Sequence, residues 1–156
     1  MKRRTVLTTV LILAATLLVL VPAVQARELS GDCGCDCCRS QGYWKNHPEA
    51  WPVECITIGG ETYTKAEAIA IMNTPGKGDK TYTMFNALVA AKLNLKKCCP
   101  RCIGPVVQAA QKWMDDNPLG SGVRGSSRAW KCGERLYEKL DWYNNHCTCP
   151  WCGCCN

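Results

Sequence analysis

Fourteen cysteines in a chain of 156 residues constrain the fold more than any other feature, because nine of them gather in two knots far apart in sequence. Cys33, Cys35, Cys37 and Cys38 form one knot, and Cys147, Cys149, Cys152, Cys154 and Cys155 form the other. Cys55, Cys98, Cys99, Cys102 and Cys132 lie between them. Whether so many sulfurs become disulfides or metal ligands depends on the compartment. The N-terminus speaks to that: Lys2, Arg3 and Arg4 precede an apolar run at 6–21 and then Pro22-Ala23-Val24-Gln25-Ala26. This is the layout of a secretory signal peptide, 1–26, with small residues before the cleavage point. The apolar run is shorter than the ~20 residues of a spanning helix, and no membrane span remains once the signal is removed. Arg3-Arg4 also loosely fits a twin-arginine signal. Asp32, between Gly31 and Cys33, argues against a lipid anchor.

An exported chain meets an oxidising compartment, so all fourteen cysteines are expected in disulfides, seven pairs in all. Neighbours such as Cys37 and Cys38 should bond outward rather than to each other, since a bond between adjacent residues strains the peptide. The two knots are expected to bond into the domain and partly to one another, bringing the chain ends together. A thiolate metal cluster is the rival reading, as Cys-x-Cys spacing lets two sulfurs reach one soft cation. Six tryptophans and several helical patterns fit such a cluster poorly, and no metal or cofactor is assigned. Losing Lys2, Arg3 and Arg4 lowers the formal charge from +6 to +3. With no basic stripe and no motif, nucleic acid is not expected as a partner.

The 130 residues after the signal suffice for one domain. Residues 27–39 form a cysteine-rich arm, 40–146 a helical domain with a hairpin, and 147–156 a cysteine-rich tail. Alternating β-branched residues at 53–58, the turn Gly59-Gly60 and a return at 61–64 predict the hairpin. Thr64-Lys65-Ala66-Glu67 is a capping box opening a helix to about residue 73. Further helices are predicted over 83–95, from Pro105 to 116 with Val106, Val107, Ala110, Trp113 and Met114 in a stripe, and within 127–145 with Leu136, Leu140 and Tyr143 inward. The Gly/Ser-rich stretch 119–127 reads as a mobile connection. The fold class is therefore mainly α, about four helices with a small β-hairpin, in one disulfide-stapled domain.

Three constellations could carry chemistry. Cys99-Pro-Arg-Cys102 precedes a helix, where thiol acidity favours disulfide exchange, although the same spacing is common in inert scaffolds. Cys149-Pro-Trp-Cys152 has that spacing too, embedded among other cysteines. His47 could act as a base in a hydrolase, yet a histidine among aromatic residues is more often structural. Tyr43, Trp44, His47 and Trp51 are the binding candidates: their rings either form an exposed stacking surface or fill a small core, and packing is the favoured reading.

Gln41-Gly42-Tyr43-Trp44-Lys45-Asn46-His47-Pro48-Glu49-Ala50-Trp51-Pro52, Ala90-Ala91-Lys92-Leu93-Asn94 and Leu140-Asp141-Trp142-Tyr143-Asn144-Asn145 stand in order along residues 39–146. In these three segments the chain resembles a widespread, largely uncharacterised group of secreted and surface-exposed bacterial and archaeal proteins. The resemblance implies an extracellular module and no reaction. The terminal knots depart from the group, as does His146, where the third segment commonly continues with glycine. The expected function is a non-catalytic extracellular or cell-surface structural or binding protein. Its partners would be a surface polymer, carbohydrate or other surface proteins, with self-association through the terminal cysteines. A thiol-disulfide exchange enzyme and a thiolate metal binder are the alternatives.

Overall fold

The computed structural model describes residues 37–97 and 101–151. The signal at 1–26, the arm up to residue 36, and Cys33, Cys35, Cys98, Cys99, Cys152, Cys154 and Cys155 lie outside the described residues. Ser40 Oγ accepts from the Tyr43 N–H at 3.2 Å and opens α1 (Gln41–Asn46), which the sequence does not predict because six residues are too few to display a periodic stripe. After a 3₁₀ turn at Pro48–Ala50, β1 (Cys55–Ile58) and β2 (Glu61–Thr64) pair antiparallel, with Ile58 opposite Glu61. Gly59 and Gly60, at φ 55° and 80°, make the two-residue turn, a left-handed geometry that glycine adopts without steric cost.

The predicted capping box opens α2 (Lys65–Met72): Thr64 Oγ1 accepts from the Glu67 N–H, and Glu67 Oε2 accepts from the Thr64 N–H. Helix α3 (Lys80–Lys97) begins three residues before the predicted start. Its cap is Asp79, whose Oδ1 accepts from the Thr81 N–H at 2.9 Å. A 3₁₀ turn at Arg101–Ile103 leads into α4 (Gly104–Asp116), with Pro105 in its first turn. Ser127 Oγ, accepting from the Trp130 N–H at 3.1 Å, caps α5 (Arg128–His146). The domain is thus mainly helical with a two-stranded hairpin, as predicted, and α1 makes five α-helices among the described residues.

Between Met84 and Asn94 the chain has no continuous polar face, and a helix apolar on nearly all sides must be enclosed. Accordingly α3 is the central element, packed against α1, α2, β1, α4 and α5. Phe85, Leu88, Val89 and Leu93 fill the interior, while Ala87, Ala90 and Ala91 let neighbours approach closely. The predicted stripe of α4 is buried in full, and Leu140 and Tyr143 of α5 point inward, with Leu136 half-buried. At Gly133 a Cβ would lie 2.7 Å from the Trp113 ring, so α4 and α5 meet closer than any side chain there permits.

Two disulfides join pairs of cysteines among the described residues. Cys38 bonds Cys147 across 109 residues and so joins the two knots, and Cys102 bonds Cys149 across 47 residues. Cys37 is also disulfide-bonded. The expectation that every cysteine is paired fails at Cys55 and Cys132, which are free. Both lie on the solvent side of their elements, β1 and α5, where a bond within the chain would need a second sulfur at the surface. Helix α5 ends on Cys147 at φ 57°, whose N–H reaches Tyr143 O at 2.8 Å. The left-handed stop that glycine usually supplies therefore falls one residue after His146, on a half-cystine.

The stretch 119–127, predicted to be a mobile connection, is anchored. Asp79 Oδ2 accepts from the Gly122 N–H at 2.9 Å, Thr81 Oγ1 from the Gly120 N–H at 3.0 Å, and Val123 O from the Lys80 N–H at 2.7 Å. Partial burial pushes the Asp79 carboxyl up, but hydrogen bonds from Thr81, Gly122 and Val123 outweigh it and hold the group below its usual range.

Candidate functional site

The three segments that carry the resemblance converge on Asn94. This residue is completely buried on α3, where an amide needs partners for all its polar capacity. It has them. Asn94 Oδ1 accepts from the Arg39 N–H at 2.8 Å and from Trp44 Nε1 at 3.0 Å. Asn94 Nδ2 donates to Arg39 O at 2.9 Å and to Asn144 Oδ1 at 3.0 Å. Asn144 Nδ2 in turn donates to Ala87 O at 2.9 Å, and Trp51 Nε1 donates to Trp44 O at 2.8 Å. At the rim, Gln41 Nε2 donates to Asp141 Oδ1 at 3.0 Å. One amide pair thus holds α1, α3 and α5 in register.

This arrangement divides the binding candidates. Trp44 is fully buried and Trp51 is 6% exposed, so neither ring offers a stacking surface, and both serve the core. Tyr43 and His47 remain partly exposed and stack on each other, with ring centres 4.3 Å apart. The Arg39 guanidinium lies 5.4 Å from the Tyr43 ring centre. His47 Nδ1 sits 3.0 Å from Glu49 Oε1, and Glu49 is held below the usual carboxylate range by its own backbone N–H and by His47. Among the described residues no hydroxyl or thiol hydrogen-bonds to His47. Trp142 is not among the residues expected from the sequence to bind. Among the described residues it is the exposed large apolar side chain, 44% accessible, and it stacks on His146 with ring centres 4.0 Å apart. Its signal is the i, i+4 spacing of the two rings on the polar side of α5.

The dithiol candidates are not closed on themselves. Cys102 and Cys149, one from each Cys-x-x-Cys unit, bond to each other. Cys149 is fully buried at that junction. Among the described residues no group of three or more histidine, cysteine, aspartate or glutamate side chains is placed to hold a metal ion.

Two surface grooves carry positive charge. Lys77 and Arg124 flank a shallow groove of about 450 Å³ beside the Asp79 anchor. A second groove, about 260 Å³, runs between β1 and α3 and is lined by Cys55, Thr57, Lys92 and Lys96 together with apolar Val53 and Leu93. Lys92 Nζ donates to Thr57 O at 2.6 Å, and Gln111 Nε2 donates to the same carbonyl at 3.0 Å. Burial lowers the Lys92 ammonium's proton affinity, and the charge of Lys96 lowers it further. Neither lysine forms an ion pair among the described residues, and Cys55, on the outer face of β1, is free and exposed.

No helix among the described residues is long and apolar enough to cross a membrane. Comparison of the chain with models of known families, with curated proteins and with solved structures finds no match.

Proposed function

We propose that this chain is a non-catalytic extracellular or cell-surface structural or binding module, exported by its first 26 residues and related to the surface-protein group that its three segments resemble. The observation that carries this reading is the Asn94 hub: the polar side chains most distinctive of the three segments hydrogen-bond to one another inside the core. Residues engaged in this way hold helices together and are withdrawn from any substrate. The long-range disulfides support the same reading, because they suit an oxidising location and tie both cysteine-rich ends to the domain. The partner would be a surface polymer, carbohydrate or another surface protein, reached through the partly exposed Tyr43 and His47 rather than through Trp44 or Trp51.

Expression from the native N-terminus in a bacterial host tests the proposal. The protein should be recovered outside the cytoplasm, begin at Arg27 by N-terminal sequencing, and show by non-reducing intact mass that Cys38, Cys102, Cys147 and Cys149 are oxidised. Cytoplasmic protein that keeps Met1 and carries these four as thiols would overturn it.

A further inference from the structure

The groove between β1 and α3 gathers positive charge that no described residue of the fold neutralises. Lys92 and Lys96 stand one helical turn apart on α3 and both line it, and like charges at that spacing repel. Lys92 is also half-buried, which disfavours its ammonium unless an anion accompanies it. Its Nζ is held in place. It donates to Thr57 O at 2.6 Å, and Gln111 pins that carbonyl by donating to it at 3.0 Å while accepting from the Gly59 N–H at 3.1 Å. One donor of Lys92 is thus committed to the strand, and an ammonium has two more to offer the groove. Among the described residues no carboxylate pairs with either lysine. Apolar Val53, Ile56 and Leu93 complete the lining.

We propose that this groove binds a phosphate dianion between the ammonium groups of Lys92 and Lys96, either as free phosphate or as the monoester of a small sugar. Two ammonium groups balance one dianion, whereas a single carboxylate leaves one of them uncompensated. Lysine meets phosphate as a point charge and lacks the planar fork with which arginine grips a carboxylate, so charge rather than shape selects the ligand. Bound phosphate would relieve both the repulsion between the lysines and the burial of Lys92, so ligand and fold stabilise each other. A volume of about 260 Å³ lies below the range of pockets for drug-sized molecules. It admits the phosphate and a short carbon skeleton against Val53.

The purified protein is titrated at low ionic strength and about pH 7.5, where a phosphate monoester is chiefly dianionic, and binding is followed by amide NMR shifts. The probes are glucose 6-phosphate, inorganic phosphate, glucuronate and glucose. Both phosphates should shift the amides of Thr57, Lys92 and Lys96, glucuronate should bind about tenfold more weakly, and glucose should not bind. Tighter binding of glucose 6-phosphate than of inorganic phosphate would identify a monoester as the occupant, and equal affinity would identify free phosphate; both uphold the site. Lys96→Gln should weaken phosphate binding about tenfold, the worth of one charge-assisted hydrogen bond, and Lys131→Gln on α5 should leave it unchanged. Lys96 is exposed and makes no hydrogen bond through its side chain among the described residues, so its variant should fold normally, as circular dichroism would verify. Absence of shifts at β1 and α3, glucuronate or glucose binding as tightly as phosphate, or an affinity indifferent to Lys96→Gln would each overturn the proposal.

Discussion

Asn94 shows how one buried amide can decide the packing of three helices. Its carbonyl and amino groups together satisfy a tryptophan, a second asparagine and both backbone groups of Arg39. Leucine has the same number of side-chain heavy atoms and the same branching, but none of these bonds. Asn94→Leu would strand the Trp44 indole N–H and Asn144 Oδ1 in the interior, at ~1–3 kcal/mol for each unpaired group, and would remove the link to the backbone of the exposed Arg39. Because the groups share one network, the costs do not add, and a loss of about 3–5 kcal/mol is expected in denaturant titration. Trp44→Phe removes only the indole donor and a little volume, so it should cost much less than Asn94→Leu. A stability for Asn94→Leu within about 1 kcal/mol of wild type would show that the hub does not hold the helices.

At the scale of elements, Asp79 joins the start of α3 to the loop before α5. One carboxylate oxygen caps the helix through Thr81, and the other accepts the Gly122 N–H. The folded carboxyl titrates below its unfolded value of about 3.9. Its contribution is therefore fully present above that pH and is lost as pH falls through the lower folded value. Asp79→Ala should destabilise the domain by ~1 kcal/mol at neutral pH through loss of the cap, and the gap from wild type should narrow on acidification. Asp79→Asn retains a capping oxygen but not the charge, so it should be stable at neutral pH and insensitive to this titration. Amide exchange at Gly122 should quicken in Asp79→Ala. Unchanged protection there, or a gap that is the same at pH 7 and pH 3, would count against the anchoring role.

For the whole molecule, the bond between Cys38 and Cys147 matters most, since it closes a loop of 109 residues. In the chain-entropy model that closure is worth about 4–5 kcal/mol, and the 47-residue link from Cys102 to Cys149 about 4 kcal/mol, before any coupling between them. The first bond also fixes Cys147 in a left-handed conformation that a residue with a Cβ adopts at a cost of ~1–2 kcal/mol. Replacing Cys38 and Cys147 together by serine should lower the melting temperature markedly and fray the end of α5 first. A melting temperature unaffected by that pair of substitutions, or by strong reductant acting on wild type, would remove the disulfides from the account of stability.

What the sequence determined by itself was local. The capping box of Thr64 and Glu67, the Gly59-Gly60 turn and the buried stripe of α4 each depend on residues within a few positions of one another, where backbone stereochemistry and helical period act directly. The helical class was legible for the same reason, from periodicity, whereas the meeting of the two cysteine knots was expected from their number and the oxidising compartment, and the bond from Cys38 to Cys147 realises it. Tertiary structure alone decided which indoles turn inward, and that Asn94 meets Asn144 across 50 residues. It also decided that Cys55 and Cys132 stay free while Cys102 takes Cys149 rather than a neighbour in its own segment. A disulfide needs Cα atoms about 4.4–6.8 Å apart with suitably directed Cβ vectors, and a buried amide needs partners at hydrogen-bonding distance. Both are conditions on the folded positions of distant segments, which spacing along the chain does not fix.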